Sequence, residues 1–326
     1  MDHNPSHASW PRVAVVGAGA VGCYFGGKLV RAGFPVTFIG RPGSQSGVAA
    51  LARTGLYFEG LEFQEMLRVE TSGDVSSVAA ADIVLLCVKT LDTVSAASSL
   101  GPHLRPDAIL VSLQNGVENA AIIRDALRSA GRTPLPVVLP AVVYVAAAMP
   151  EPGHLKHGGR GDLVIGPGTD ESLTPAVGQV AHLFTRVGVP CRISENIDGD
   201  LWVKLVWNCA GNAVSALGRA SYGLAGSLEP VRWVMAAAAQ EVSAVARASG
   251  VHMPDTDLIA MGFKLAASLG PATSSTAQDI ERGRPTEIDS LNGFVARRGA
   301  ELGVPTPVNQ TLWALVKLRE AASRPG

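Results

Sequence analysis

Residues 12–43 read RVAVVGAGAVGCYFGGKLVRAGFPVTFIGRPG. The run at 12–16 is short and rich in β-branched residues, which predicts a buried strand. Three glycines follow at the spacing G-x-G-x-x-G, and the segment after them predicts a helix that ends at Gly33. Residues 35–39 predict the next strand. The stretch is therefore a βαβ unit that carries its glycines between strand and helix.

Each glycine of this turn has a physical role in binding a dinucleotide. Gly17 permits a tight turn, and Gly19 lets a pyrophosphate approach the backbone because any Cβ there would collide with it. Gly22 lets helix and strand pack closely, while the helix N-terminus presents N–H groups to the phosphates. We predict dinucleotide binding; the alternative is a glycine-rich turn that serves packing alone. The expected cofactor contacts are Gly17, Ala18, Gly19, Ala20, Val21 and Gly22.

The end of the second strand indicates which dinucleotide binds. NAD sites usually place an acidic residue there for the ribose 2′-hydroxyl. No carboxylate lies between Asp2 and Glu59, and Arg41 stands where the acid would be. A guanidinium can hold a 2′-phosphate with paired hydrogen bonds, whereas a carboxylate would repel it. The sequence therefore favours NADPH over NADH, unless Arg41 is only a solvated loop charge.

Two polar residues come just after further predicted strands. Lys89 ends the strand predicted at 81–90, and Asn115 lies in a Gln-Asn-Gly turn that ends the strand segment at 108–117. Ligands of doubly wound sheets bind beyond the carboxyl ends of the strands. Both residues are therefore candidates for a site. The alternatives are a solvated lysine and a simple turn.

Helical patterns predominate from residue 198 onward, and residues 201–218 read LWVKLVWNCAGNAVSALG. Lys204, Asn208 and Asn212 are four residues apart, so on a helix they form a polar stripe along one face. The other sides are apolar, which is typical of a buried helix. A buried lysine is costly unless it is paired or opens on a cavity. We therefore expect the stripe to line a cleft between domains; the alternative is the polar face of a surface helix.

A lysine in such a place can act as an acid, because desolvation lowers the pKa of an ammonium toward the working pH. Asparagine side chains can bind a carbonyl or orient the lysine. Beside a nicotinamide, the stripe predicts carbonyl reduction with Lys204 as the proton donor. Ser274, Ser275 and Glu287 are further candidates, either for holding an anionic substrate or for pairing with Lys204. The alternative for each is an ordinary surface position.

We predict an α/β fold, with an N-terminal Rossmann-type doubly wound sheet followed by an all-helical C-terminal domain. The first domain spans 1–195, with 1–11 as a disordered leader, and the helical substrate domain spans 196–326. Besides 201–218, helices are predicted at 231–250, 285–303 and 306–322.

Composition narrows the class of protein. The net charge of −1 does not favour nucleic-acid binding. The most apolar segment, 135–150, is short and broken by prolines, and the N-terminus lacks the pattern of a secretory signal. We expect a cytoplasmic protein without a membrane segment.

No metal site is expected, because His154 and His157 have no third ligand nearby. The cysteines are expected to be reduced and buried: Cys23, Cys87, Cys191 and Cys209.

Over residues 12–320 the chain resembles the 2-dehydropantoate 2-reductase (ketopantoate reductase) family. The resemblance implies NADPH-dependent reduction of 2-dehydropantoate to (R)-pantoate, a step toward pantothenate and coenzyme A. It also implies a site in the cleft between a Rossmann domain and a helical domain. The segments that carry it are, in order, VAVVGAGAVGCYFGGKLVRAG, LLCVKT, LQNGV, LWVKLVWNCAGNAVSAL and SSTAQDIERGRPTEIDSLNG.

The resemblance also implies roles for individual residues. The catalytic lysine of the family falls on Lys204 in the pattern W-x-K-x-x-x-N, and its essential glutamate falls on Glu287 in the motif T-E-I-D. The implied substrate-binding residues are Asn115, Asn208, Asn212 and Ser275, and those for the cofactor, beside the glycine turn, are Arg41, Lys89 and Asn115.

Four points stay open at this stage. Thr-Leu-Asp follows Lys89, where many members have an aromatic residue followed by Gln or Asp, which leaves the role of Asp92 undecided. The partner is a small 2-oxo acid, but a sibling reductase would accept a different one. A third reading is a non-catalytic NADPH-binding sensor, against which the retention of both Lys204 and Glu287 speaks. A homodimer is one option for assembly.

Overall fold

The computed structural model describes residues 10–41, 43, 47–168 and 171–323. The chain divides into two compact units, Met1–Gln114 with Glu118–Ile197 and Asn115–Val117 with Asp198–Gly326. A sheet with helices characterises the first unit and helices characterise the second, so the predicted fold class is confirmed. Residues 1–9 of the predicted leader lie outside the described residues.

A mixed sheet runs through the first unit. Its central strands consist of buried residues that are all aliphatic except Ser112, as expected where both faces are covered. The strands are β1 (Val13–Val16), β2 (Val36–Ile39), β3 (Leu56–Glu59), β4 (Gln64–Leu67), β5 (Glu70–Ser72), β6 (Ile83–Leu86), β7 (Ile109–Ser112), β8 (Val137–Glu151), β9 (His154–Ile165) and β10 (Cys191–Ile193). Their order is β4-β3-β9-β8-β7-β6-β1-β2-β5, with β10 beside β9.

The parallel part of this sheet sets the position of the glycine turn. Strand β1 lies between β2 and β6, and Val13 is in register with Val36 and with Ile83. Strand β7 follows β6 in the same direction, so the carboxyl ends of these strands share one edge. The helices of this unit are α1 (Ala20–Arg31), α2 (Gly47–Thr54), α3 (Thr93–Leu100), α4 (Asn119–Ser129) and α5 (Thr174–Arg186).

Strands β8 and β9 are the longest of the described sheet, with 15 and 12 residues. They pair as an antiparallel hairpin from Ala141 opposite Ile165 to Glu151 opposite His154. This pairing satisfies the backbone groups of a Gly-rich segment whose composition alone gives little strand signal.

The second unit consists of helices, and its central helix is the one that carries the polar stripe. Leu205, Val206 and Cys209 are at most 1% exposed and pack in one apolar cluster with residues of other helices. The helices are α6 (Ile197–Gly218), α7 (Tyr222–Ser227), α8 (Glu229–Ala248), α9 (Leu258–Leu269), α10 (Ser275–Glu281), α11 (Asn292–Leu302) and α12 (Pro307–Ala322). Among the described helices, none combines the length and the hydropathy that a membrane crossing requires.

The helix predicted over 285–303 is wrong in its first part. Helix α11 begins only at Asn292, and a single 3₁₀ turn, Ile288–Ser290, precedes it. Thr286 accounts for the difference: its Oγ1 accepts a hydrogen bond from the backbone N–H of Ile288 at 3.2 Å. Such a local side-chain bond competes with helix formation. Glu287 therefore lies in a loop rather than on a helix face.

Candidate active site

Two positions of the glycine turn after β1, Gly17 and Gly22, require glycine. Gly17 has φ of +106°, which disfavours other residues. A Cβ on Gly17 would also stand 2.9 Å from the carbonyl group of Cys87, and a Cβ on Gly22 would stand 2.1 Å from the oxygen of Gly17. Both contacts are with backbone atoms, which cannot move aside as a side-chain end could.

Gly19 differs from these two, because a Cβ built there meets no heavy atom within 4 Å. The residue is the N-cap of α1, whose first turn has neither a side-chain cap nor an acidic residue. The N–H groups of such a helix end attract an anion. The open space at Gly19 and the uncapped start of α1 are compatible with the predicted pyrophosphate site, and the contacts at Ala18, Ala20 and Val21 stay predictions.

These two kinds of glycine predict different mutant phenotypes. We expect Gly22→Ala to lower the free energy of unfolding by about 1–3 kcal/mol, the usual cost of overpacking a buried position. We expect Gly19→Ala to leave the unfolding free energy unchanged and to weaken dinucleotide binding, because its methyl group enters the space for the pyrophosphate. Denaturant unfolding and cofactor titration of both variants check this. A stable Gly22→Ala protein, or undiminished cofactor binding by Gly19→Ala, would contradict it.

Arg41 and the segment after β6 come together at the same edge of the sheet. The Nη2 atom of Arg41 lies 3.3 Å from Oδ2 of Asp92, and the Arg41 side chain is 84% exposed. Lys89 is half-buried and precedes the 3₁₀ turn Thr90–Asp92. Asp92 therefore contacts both predicted residues in different ways: its carboxylate pairs with the guanidinium of Arg41, and its backbone N–H donates to the backbone oxygen of Lys89 at 2.8 Å.

Gln114 fixes this edge of the sheet, and the sequence patterns did not single out its side chain. It is 5% exposed and accepts a hydrogen bond from Ser112 Oγ at 2.9 Å. Its Nε2 donates to Thr93 Oγ1 at 2.7 Å and to the backbone oxygen of Val88 at 3.1 Å. These bonds tie the end of β7 to the segment that carries Lys89.

In the second unit, three predicted residues form one hydrogen-bonded row. Lys204 Nζ donates to Asn115 Oδ1 at 2.8 Å, and Asn115 Nδ2 donates to Glu287 Oε2 at 3.0 Å. The lysine can only donate and the ionised carboxylate can only accept, so the row itself determines the orientation of the amide. All three residues are half-buried. The amide of Asn115 thus connects the amine of Lys204 to the carboxylate of Glu287, and part of each side chain is still accessible to solvent.

The remaining members of the polar stripe differ in their surroundings. Asn208 is half-buried one turn after Lys204, and its side chain makes no hydrogen bond to a described residue. Asn212 is 4% exposed, and its Oδ1 accepts from the hydroxyl of Tyr222 at 2.8 Å. Burial raises the pKa of Tyr222, which therefore stays protonated as a donor. The bond from Tyr222 uses only the Oδ1 of Asn212, so substrate binding by Asn208 and by the Nδ2 of Asn212 both stay predictions.

The two serines before α10 have different positions. Ser274 is fully buried; its Oγ accepts from the N–H of Ala277 and donates to the backbone oxygen of Asn212, both at 3.0 Å. It therefore caps α10 and attaches it to α6. Ser275 is exposed at the first position of α10 and makes no hydrogen bond within the described part of the chain.

The cysteines are thiols whose environment does not favour reactivity. Burial raises the pKa of Cys23 and of Cys191 to about 12, so both are protonated at neutral pH. Within the described ranges, no three His, Cys, Asp or Glu side chains cluster in a way that could hold a metal ion.

Comparison with known proteins assigns the chain to a family. Residues 13–170 match the ketopantoate reductase PanE/ApbA family, and residues 196–320 match the C-terminal domain of the same family. The chain belongs to the ketopantoate reductase family. The predicted resemblance is therefore confirmed, and the chain is a member of a family of oxidoreductases.

Individual members of the ketopantoate reductase family align over nearly their whole length. The 2-dehydropantoate 2-reductase of Halobacterium salinarum is 31% identical over 317 residues, which cover 95% of this chain and 99% of the relative. The structure of a PanE/ApbA family ketopantoate reductase from Ralstonia eutropha JMP134 is 47% identical, with a TM-score of 0.84 over 96% of this chain and 99% of that one. A D-mandelate dehydrogenase, solved with NADH and anilino(oxo)acetate, shares the fold at 22% identity and a TM-score of 0.86, covering 96% and 99%.

Proposed function

We propose that this chain reduces 2-dehydropantoate to (R)-pantoate with NADPH. The observation that carries the proposal is the row Lys204–Asn115–Glu287 in a chain of the ketopantoate reductase family. A carbonyl reductase needs a proton donor for the oxygen that becomes a hydroxyl, and an oriented ammonium meets this need. A protein that only sensed a dinucleotide would need no such group.

In the proposed reaction, bound NADPH supplies the hydride that the carbonyl carbon receives. Lys204 donates a proton from Nζ to the carbonyl oxygen as negative charge develops there. Asn115 orients the ammonium of Lys204 by accepting a hydrogen bond from it through Oδ1. Glu287 accepts a hydrogen bond from Asn115 through one oxygen, and its carboxylate is suited to accept a second hydrogen bond from a hydroxyl group of the substrate. Asn208 and Ser275 are the proposed donors to the substrate carboxylate.

Arg41 supports NADPH rather than NADH as the cofactor. It follows β2 at the position where NAD sites usually carry an acidic residue. We expect Arg41→Ala to weaken NADPH binding by about tenfold, the lower end of a charged hydrogen bond's contribution, because the guanidinium is largely exposed. NADH binding should change little. Fluorescence titration with both cofactors measures this.

The matched control for this prediction is Arg68→Ala, which removes an exposed arginine from the first unit and should alter neither affinity. Equal losses of NADPH and NADH affinity in Arg41→Ala would contradict a role in binding the 2′-phosphate.

A panel of 2-oxo acids tests the proposed substrate. We expect 2-dehydropantoate to give the highest kcat/KM, measured as NADPH oxidation by purified protein. The fold alone does not determine which 2-oxo acid is the substrate, since a D-mandelate dehydrogenase has the same fold. A different acid that exceeds 2-dehydropantoate by orders of magnitude would establish a sibling reductase. NADPH binding without turnover of any acid would establish the sensor.

Two further predictions stay predictions. A homodimer is tested by light scattering of the purified protein, and a cytoplasmic location is tested by cell fractionation.

A further inference from the structure

Glu287 lies in the loop 286–291, where regular secondary structure does not fix its direction. It is the N-cap of the single 3₁₀ turn Ile288–Ser290, and its side chain does not cap that turn. The carboxylate must nevertheless be held within a narrow range of positions to meet Asn115 at 3.0 Å. The contacts on either side of Glu287 show how this is achieved.

On the N-terminal side, the loop is attached to α12 by a buried carboxylate. The backbone N–H of Thr286 donates to Glu320 Oε1 at 2.6 Å. Thr286 is 1% exposed and Glu320 is 7% exposed, so water does not compete for this bond. Ile288 is fully buried and anchors the other neighbour of Glu287 in the apolar core.

On the C-terminal side, the same helix holds Asp289. Trp313 Nε1 donates to Asp289 Oδ1 at 2.7 Å, and Lys317 Nζ donates to Oδ2 at 2.8 Å. Lys317 also lies 3.2 Å from Glu320 Oε2, which joins the two attachments. Burial alone would raise the pKa of Asp289, but the hydrogen bonds from Lys317 and Trp313 outweigh it and lower that pKa. Asp289 is therefore ionised at neutral pH.

Trp313, Lys317 and Glu320 are spaced by four and three residues, so they project from one face of α12. They contact the residues on both sides of Glu287 and leave its own carboxylate to Asn115. We name these three residues with Thr286 and Asp289 the α12 clamp. A partly buried ion pair adds little net stability compared with apolar packing, whereas its directional hydrogen bonds define one geometry.

We propose that the α12 clamp positions Glu287 for its contact with Asn115 and, through it, Lys204. The clamp residues touch neither Asn115 nor Lys204 in the described hydrogen bonds, so they are positioning residues rather than catalytic ones. The proposal rests on the proposed role of Glu287 in reduction, and its test separates the two.

The test is a double-mutant cycle on kcat with Asp289→Asn and Glu287→Gln. Asparagine keeps the size of Asp289 but must turn its NH₂ group toward one of two donors, which breaks one bond of the clamp. We expect Asp289→Asn alone to lower kcat by about tenfold, because small misplacements in an active site are costly. In the Glu287→Gln background the same change should have almost no further effect.

Controls keep the result interpretable. Trp313→Phe removes one hydrogen bond and is the milder variant to use if Asp289→Asn does not fold; it should show the same dependence on Glu287. Glu301→Gln breaks an exposed ion pair of α11 with Arg298, and kcat should not change. NADPH affinity and thermal melting are recorded for every protein.

Each outcome of the cycle has a defined meaning. If Asp289→Asn, or Trp313→Phe in its place, lowers kcat equally with and without Glu287→Gln, the clamp acts only on stability and the inference is overturned. The inference is also overturned if neither variant lowers kcat while Glu287→Gln does. If Glu287→Gln changes neither kcat nor kcat/KM, the proposed role of Glu287 fails first; if it lowers kcat/KM but leaves kcat unchanged, that role stands and the inference about kcat is overturned.

Discussion

Replacing Lys204 with alanine is expected to lower kcat by about 10²–10⁴-fold, the usual contribution of a general acid. Without the ammonium, the oxygen of the reduced carbonyl must take its proton from water. The negative charge that develops on this oxygen also loses the cation that Asn115 Oδ1 holds at 2.8 Å. The affinity for NADPH should remain close to that of the unchanged protein, because the residues proposed to bind the cofactor phosphates lie in the first unit. Stopped-flow or steady-state NADPH oxidation, together with cofactor titration, gives both quantities.

Lys264→Ala is the matched control for this experiment, since it removes an exposed lysine from α9 of the same unit. It should leave kcat unchanged. An active Lys204→Ala enzyme would exclude Lys204 as the proton donor. A parallel loss of NADPH affinity would instead assign Lys204 to cofactor binding, and the mechanism would have to be rebuilt on another acid.

The parts of this protein that follow from sequence are those in which the pattern is local. Gly17 and Gly22 can be identified from their spacing because the turn needs glycine for reasons that lie within a few residues of it. The polar stripe of α6 is likewise a matter of helical period, and the structure confirms that its three members share one helix. The stripe could be predicted without knowing what its members touch.

The parts that sequence reasoning missed depend on residues far apart in the chain. The hydroxyl of Tyr222 donates to Asn212 Oδ1, although no periodicity in the sequence singles out Tyr222. Asn115 reaches Lys204 across 89 residues and Glu287 across 172. Glu320 accepts from the N–H of Thr286 across 34 residues, a contact that attaches the loop before α11 to α12. Such tertiary contacts override local propensity and leave no periodic signal.

We expect Glu287→Gln to lower kcat/KM for 2-dehydropantoate by about 10- to 100-fold, the loss that accompanies a hydrogen bond to a charged group. Glutamine has the same length and can still accept from Asn115, so the row should persist in shape. What it loses is the charge, and with it the strength of any bond to a substrate hydroxyl. An unchanged thermal melting curve would show that the fold is intact.

The control for this variant is Glu281→Gln, an exposed glutamate at the end of α10 whose charge should not matter. Comparing substrates sharpens the result: a 2-oxo acid without a hydroxyl group should lose little rate in Glu287→Gln, because it has nothing to donate to the carboxylate. If both acids lose rate equally, Glu287 acts on the lysine through Asn115 rather than on the substrate. If neither loses rate, Glu287 has no part in the reaction, and the row reduces to Lys204 and the amide that orients it.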